Sequence, residues 1–336
     1  MNMAGAASGS TGVAAQRLSG KRLLLAVPTV LGIAVCNFIL LQLAPGDAAD
    51  VIAGEAGSAT PEYLAQLKAR FGLDKPLWVQ FGHYLWQLLQ FDLGYSFRNN
   101  QTVLALIADR LPATLLLMVT AVAVAFGAGI ALGVLAARFV NRWADGLISV
   151  FALLAYATPV FWVGLMLVVL LSVNLGWLPS SGMVSVGAGY TGLRRAADIG
   201  AHLVMPAVSL ALFYTAVYTR LMRASMLEVF NQDYVTTARA KGLSEGRILR
   251  RHVLRNAMIP MVTMLGLQVG TLLGGSVLVE TVFSWPGLGR LGFEAVLQRD
   301  LNLLLGILLL CSLIVVVANI AVDLAYAWLD PRIELR

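Results

Sequence analysis

Six stretches of this 336-residue chain contain no Asp, Glu, Lys or Arg: residues 23–46, 111–137, 146–193, 199–219, 256–279 and 301–322. A helix that crosses the hydrocarbon layer of a bilayer needs about 20 apolar residues, and each stretch supplies them. The longest fits one crossing at about residues 147–172, followed by a Gly- and Ser-rich connection. Hydrophobic residues make up 59% of the chain, against roughly 45–50% in soluble domains. A transmembrane barrel would show segments of about ten residues alternating apolar and polar, and no such run occurs. The sequence therefore predicts an all-α integral membrane protein with about six transmembrane helices.

Lys and Arg near helix ends favour the cytoplasmic side. With the N-terminus inside, fifteen of the 24 basic residues face the cytoplasm: Arg17, Lys21, Arg22, Arg138, Arg142, eight from Arg220 to Arg255, Arg332 and Arg336. Most of the nine others border or occupy one long loop, 47–110, where the rule is weak. Both termini are expected to be cytoplasmic. The same bias explains the net charge of +6 without a nucleic-acid partner; membrane lipid is the expected contact. Residues 1–20 are small and polar and read as a disordered cytoplasmic tail. The apolar run after Arg22 exceeds the roughly 7–15 residues of a cleaved signal core, so a retained first helix is expected. The organisation is then 1–20 tail, 21–110 first span with a long external loop, and 111–336 a core of five spans with a cytoplasmic loop at 220–255.

Chemistry is sparse. No G-x-x-x-x-G-K-[ST] phosphate loop exists, since Gly20-Lys21 is followed by Arg22 and lacks the upstream Gly; the chain binds no ATP of its own by this reading. No H-E-x-x-H occurs, and His83, His202 and His252 are expected in loops or at helix edges. Cys36 and Cys311 lie one in each of two spans, which suggests packing rather than a disulfide or a metal site. No catalytic constellation appears, so no enzyme is expected. Asp323 reads as the only carboxylate well inside a span. An ionisable residue there invites a path or gating role, while its place near a helix end equally suits ion pairing or anchoring. The spans form no matching halves, which counts against a secondary transporter built from repeats.

The largest element on the inner side is "RLMRASMLEVFNQDYVTTARAKGLSEGRILRRHVLR", residues 220–255. Leu227, Phe230, Tyr234 and Ala238 recur at steps of three and four, the spacing of one helix face, and Gly242 supplies a helix end. A short amphipathic helix, a turn and a basic helix leading to Pro260 are expected. A basic loop lying on anionic lipid accounts for the arginines. A helix that docks in a groove of a soluble partner accounts for the whole arrangement, including Glu228 and Asp233.

This segment resembles the cytoplasmic signature loop of ABC-importer permeases, Glu-Ala-Ala, three residues, then Gly. Thr236, Thr237, Ala238 and Gly242 occupy those places, with Ala238 and Gly242 matching strictly and Pro260 lying 18 residues after Gly242 where 13 are usual. The rest of the chain resembles one branch, the peptide-uptake permeases of the dipeptide and oligopeptide type. The resemblance rests on "LAPGD", "FGLDKPLWVQFGHYL", "FDLGYSF", "ARAKGL", "LRNAMIP", "ETVFSWPGLGRL" and "VDLAYAWLDPRI", and covers roughly residues 21–334. It implies the ABC importer type I permease fold in a bacterial inner membrane. It also implies a coupling helix at 225–243 that contacts a separate ATPase subunit through Leu227, Glu228, Phe230, Asp233, Tyr234, Thr236, Thr237, Ala238, Ala240 and Gly242. ATP and Mg would be held by one or two such ATPase subunits, with a second homologous permease and an extracytoplasmic binding protein as further partners. Similar permeases carry dipeptides, longer peptides, glutathione or nickel complexes; a stand-alone channel or secondary transporter is the alternative of a different class.

Small residues mark close helix approach: Gly266, Gly270 and Gly274 on the fifth span and Gly129 and Gly133 on the second. Packing within the chain and a subunit interface are both open readings. In the external loop, "PEYLAQLKARFGL" is expected as an amphipathic helix capped by Thr60, and Trp78, Tyr84, Trp86 and Tyr95 suit the membrane interface. That loop and residues 173–198 form the expected landing surface for a binding protein.

Overall fold

The computed structural model describes residues 27–43, 60, 64–66, 69 and 74–329, with the side chains of 269 and 323–329 outside the description. The tail 1–20 and most of "PEYLAQLKARFGL" lie outside the described residues. In chain order the elements are α1 (Val27–Leu43), α2 (Leu77–Leu89), a hairpin of β1 (Tyr95–Ser96) and β2 (Gln101–Thr102), and α3 (Val103–Arg138). Next come α4 (Trp143–Ala157) and α5 (Val160–Leu167), the latter running into a wider π-helical stretch, Val168–Asn174. Then follow α6 (Gly192–Phe230), α7 (Asp233–Ala240), α8 (Glu245–Ile248) with a π-helical turn Leu249–Val253, and α9 (Leu254–Val282). The chain closes on α10 (Leu288–Gln298) and α11 (Leu301–Leu329). Helices α3, α6 and the Leu301–Val322 part of α11 are each long and apolar enough to cross a membrane. The other three expected spans appear as the shorter α1 and two bent pairs.

The third span corrects the sequence reading. Instead of one crossing at 147–172, α4 and Val160–Asn174 meet at 104°. Pro159 has no N–H to continue the α4 ladder, and a residue before proline is pushed out of the α region. Thr158 accordingly sits at φ −85°, ψ 130°. Its hydroxyl and its N–H both bond to the Leu154 carbonyl, at 2.7 and 3.0 Å, so the break keeps its polar groups paired.

Residue contacts divide the chain into two units. In the first, 112–290 with 317 onward, α6 is the packed centre: Met205, Leu210, Tyr218, Met222 and Met226 are buried along it. Its hydroxyls turn inward on their own helix, Ser209 to the Met205 carbonyl (2.7 Å), Thr215 to Ala211 (2.9 Å) and Thr219 to Thr215 (2.7 Å). Such back-bonding removes the cost of a hydroxyl without water. Asp145, 4% exposed on α4, holds Arg223 of α6 through two hydrogen bonds of 2.7 and 2.8 Å.

Lipid tails are as apolar as Leu, so helices associate by close packing rather than by escape from water. Gly129 and Gly133 on α3 show this: a Cβ on Gly133 would fall 2.6 Å from the Met222 Cβ and 2.8 Å from the Thr219 carbonyl oxygen of α6. For this pair the close approach is within the chain. The ladder Gly266, Gly270 and Gly274 does not act as one stripe, because the axis turns by 59° between Gln268 and Gly270. Gly266 lies against Val322 of α11, Gly274 has nothing within 4 Å, and Gly275 faces Leu210 instead.

In the second unit, 20–111 with 291–316, α1 meets α11 through Asn37, whose amide donates to the Leu305 carbonyl (3.2 Å). Phe38 contacts the rings of Phe81 and Tyr84 on α2, with centroids 5.2 and 5.8 Å away. Trp78 and Trp86 point outward from α2, as expected for interface residues, whereas Tyr84 turns to Phe38. Tyr95 is in the hairpin, its hydroxyl on Asn100 Oδ1 at 2.6 Å. Asp300 caps α11, accepting the Leu303 N–H at 3.1 Å and a bond from Ser96. Cys36 is exposed on α1 rather than packed within the chain, and Cys311 is half-buried on α11.

Substituting Gly133→Val would drive a branched side chain into the α6 backbone, and the expected cost is about 1–3 kcal/mol or more. Gly146→Ala, at an open position on α4, is expected to be neutral or mildly stabilising. Thermal unfolding of the detergent-solubilised variants checks the contrast; equal midpoints would contradict the close α3–α6 contact.

Candidate functional site

The turn after α6 is built differently from the expected single helix over 225–243. Helix α6 is continuous for 39 residues to Phe230, eleven residues past the end of the charge-free stretch at Thr219, and only then breaks at Asn231 and Gln232. Leu227, Glu228 and Phe230 are therefore the last turn of a long helix, while Asp233, Tyr234, Thr236, Thr237, Ala238 and Ala240 lie on the separate α7. The break has a local cause. Asn231 has weak helix propensity, and Asp233 in the first turn of α7 suits the positive end of a new helix dipole.

Helix α7 has two faces. Val235 and Ala238 are buried in the chain's own core, in the cluster that also holds Met226, Ile248 and Val253, with Leu227, Phe230 and Leu243 half-buried against that cluster. Ala238, expected on the docking face, is 5% exposed in the chain alone. Asp233, Tyr234, Thr236, Thr237 and Ala240 are exposed, as is Glu228 at the end of α6. Tyr234 accepts a hydrogen bond from the Asn256 amide at 2.9 Å, which fixes α7 against the start of α9.

Gly242 closes α7 in the left-handed region at φ +77°. The Leu243 N–H bonds to the Ala238 carbonyl (3.3 Å) and the Gly242 N–H to that of Arg239 (2.9 Å), the paired bonds of a Schellman ending. A Cβ at Gly242 would meet nothing within 4 Å, so the requirement for glycine is conformational, not steric. Arg239 reaches across the turn to Glu245 at 2.8 Å. That hydrogen bond holds the Glu245 carboxyl below its ordinary range, so the bridge is intact at neutral pH and is lost only as pH falls through that lowered value. Beyond the turn, Arg247, Arg250, Arg251 and Arg255 are exposed, and α9 runs past Pro260 without a break.

A second polar centre was not singled out from the residues. Glu280, fully buried in the last turn of α9, receives the Thr114 hydroxyl of α3 at 2.8 Å and the Arg290 N–H at 2.9 Å. Thr114 in turn accepts the Leu288 N–H at 2.7 Å. Leu288 and Arg290 open α10, whose first N–H groups have no partner within the helix. Glu280 and Thr114 therefore cap α10 from two other helices, with the carboxylate at the favourable end of its dipole. The sequence "ETVFSWPGLGRL" makes room for this. A Cβ on Gly287 would strike the Glu280 carboxyl group, and one on Gly289 would lie 2.8 Å from the Val277 Cα. Trp285, also fully buried, donates its indole N–H to the Ala113 carbonyl at 2.9 Å.

Asp323 falls within α11, and its side chain lies outside the described residues. It is not the only carboxylate inside a helical span, since Glu280 and Asp145 are both buried. His202 also corrects expectation. It is 5% exposed within α6, with Nδ1 2.8 Å from the Asp198 carbonyl, and His83 lies inside α2. Among the described residues no group of three His, Cys, Asp or Glu side chains could hold a metal ion.

Removing the capping carboxylate by Glu280→Ala leaves the Arg290 N–H and the Thr114 hydroxyl without an acceptor, at an expected cost of about 1–3 kcal/mol. Glu280→Gln, which keeps one acceptor oxygen, should cost less. Thermal midpoints of the three proteins give the answer, and an unchanged midpoint for Glu280→Ala would show that the cap contributes nothing.

Residues 129–335 match the family described as "Binding-protein-dependent transport system inner membrane component", and residues 16–118 match its companion N-terminal family. The chain is 42% identical over 331 residues to the dipeptide transport system permease protein DppB of Escherichia coli (strain K12), covering 94% of this chain and 97% of that protein. It is also 42% identical over 314 residues to a protein of Brucella abortus (strain 2308) named for a peptide transport system permease, covering 94% and 98%. A solved chain of the MetNI methionine ABC transporter, in inward-facing conformations, aligns with a TM-score of 0.54 at 19% identity over 68% of this chain and 97% of that one. That likeness shows a shared fold, the type I importer permease fold. With residues 16–118 and 129–335 matched, the chain belongs to the family of binding-protein-dependent transport system inner membrane components.

Proposed function

We propose that this chain is the permease subunit of an ATP-driven importer for di- or oligopeptides, working by alternating access in a bacterial inner membrane with both termini cytoplasmic. The observation that carries the peptide cargo is the similarity to DppB, 42% over nearly the whole of both chains. ATP is hydrolysed on one or two separate ATPase subunits, a homologous permease completes the pore, and an extracytoplasmic binding protein delivers the peptide.

In this reading the exposed face of α7, with Asp233, Tyr234, Thr236, Thr237 and Ala240, and Glu228 beside it, sits in a groove of the ATPase. A docked helix transmits force only if its own seat is stiff. Here Val235 and Ala238 anchor α7 in the core, the Gly242 ending fixes where it stops, and α6 continues the movement into the membrane as one rod about 58 Å long. ATP-driven closure of the ATPase pair then shifts the balance between inward- and outward-open states through its differential affinity for them.

The test is ATPase activity of the complex reconstituted in lipid with its binding protein, titrated with di-, tri- and longer peptides, glutathione and nickel. Stimulation by a peptide class is expected, and stimulation by glutathione or nickel alone would move the cargo elsewhere. Gly242→Val places a β-branched residue at φ +77°, at a cost of about 1–3 kcal/mol. It should lose peptide stimulation while the chain stays inserted. Gly242→Asn, a residue that tolerates the left-handed region, should retain most of it. Full stimulation with valine would contradict the coupling role of this turn.

A further inference from the structure

Arg220 lies on α6 one helical turn from the Asp145–Arg223 pair, yet its guanidinium does not join that pair. Its Cζ sits 4.6 Å over the ring of Tyr156, and that ring stacks on Phe213 with centroids 5.1 Å apart and planes 20° from parallel. The two helices run antiparallel here, so position can be read in residues. Tyr156 is eleven residues along α4 from Asp145, and Phe213 ten residues along α6 from Arg223, about 16.5 and 15 Å. Trp143, largely exposed beside the pair, suits the membrane boundary. The Tyr156–Phe213 stack therefore lies well inside the span, and Arg220 aims its charge toward it.

That direction is unusual. Long side chains on a helix lean toward its N-terminus, but a charged head near a membrane boundary ordinarily bends back to water. Arg223, one turn on, has a carboxylate partner; Arg220 has none among the described residues and remains exposed. A guanidinium carbon placed over an aromatic ring is held by a cation–π contact, which leaves its N–H groups to donate to a bidentate acceptor.

We propose that Arg220, positioned by Tyr156, binds the terminal carboxylate of the transported peptide during its passage along α4 and α6. This rests on the peptide reading above. Every peptide ends in that group whatever its side chains, so one fixed cation serves a varied cargo, and a planar fork fits a carboxylate better than a point charge does.

The test compares one dipeptide as free acid and as C-terminal amide, measuring stimulated ATPase of the reconstituted complex with the same binding protein throughout. Any preference of the binding protein then cancels between permease variants. Wild type should favour the free acid, and Arg220→Gln should reduce that acid-to-amide ratio about tenfold. Arg220→Lys, which keeps the charge, should retain most of it. An unchanged ratio in Arg220→Gln would overturn the proposal. So would failure of both Arg220 variants to assemble with the second permease, which would assign the residue to a subunit contact. If neither peptide stimulates the wild type, the cargo reading itself fails, and this proposal with it.

Discussion

A backbone N–H or C=O inside a bilayer finds no water, so each place where a helix stops must supply its own partners. This constraint organises the chain around its breaks. At Thr158 the Leu154 carbonyl takes both the hydroxyl and the N–H, which permits a 104° turn between two apolar helices. At the end of α9, the amide of Gly182 pairs with the Phe283 carbonyl at 2.8 Å. The start of α10 is closed by Glu280 and Thr114, acting from α9 and α3. Outside the apolar stretches the same need is met at Gly242 by a left-handed residue. Where the helices do not break, glycine and back-bonded hydroxyls let them approach closely, and α6 becomes the rod against which α3, α4 and α9 pack.

The function built on this scaffold separates two requirements. On the reading proposed above, the segment that meets an ATPase needs an exposed, polar face, and α7 has one. It must also be tied to the membrane part firmly enough to move it, and Val235 and Ala238 provide that tie by being buried. A coupling element whose apolar residues all faced outward would dock well and transmit little. The same division recurs in the span, where Arg223 is consumed by its partner Asp145 and Arg220, one turn away, is left open.

Much of this was legible in the residues. The charge-free stretches located the six apolar segments, and Gly242 was identified as a helix end from its residue type alone. The misses have physical causes. A window defined by absent charges stops at residue 279, so it placed Glu280 outside the membrane region. The available signal was Gly287 and Gly289 flanking a helix start at Leu288 that has no Ser, Thr, Asp or Asn before it, which requires an acceptor from elsewhere. The same window passed over Thr158-Pro159, since proline carries no charge. A period of three to four residues persisted from Leu227 to Ala238 across a real break, because two helices joined by a two-residue turn can preserve the spacing. Which glycines touch another helix depends on bends such as the one at Gln268–Gly270, and spacing along a straight helix does not encode them.

The most direct measurement is uptake of a labelled dipeptide into proteoliposomes holding the complete complex, with binding protein outside and ATP inside. The account predicts accumulation that requires ATP, the ATPase subunits and the binding protein together, and that stops when any one is withheld. Uptake that continues without ATP, or a chain that binds no ATPase subunit, would contradict it.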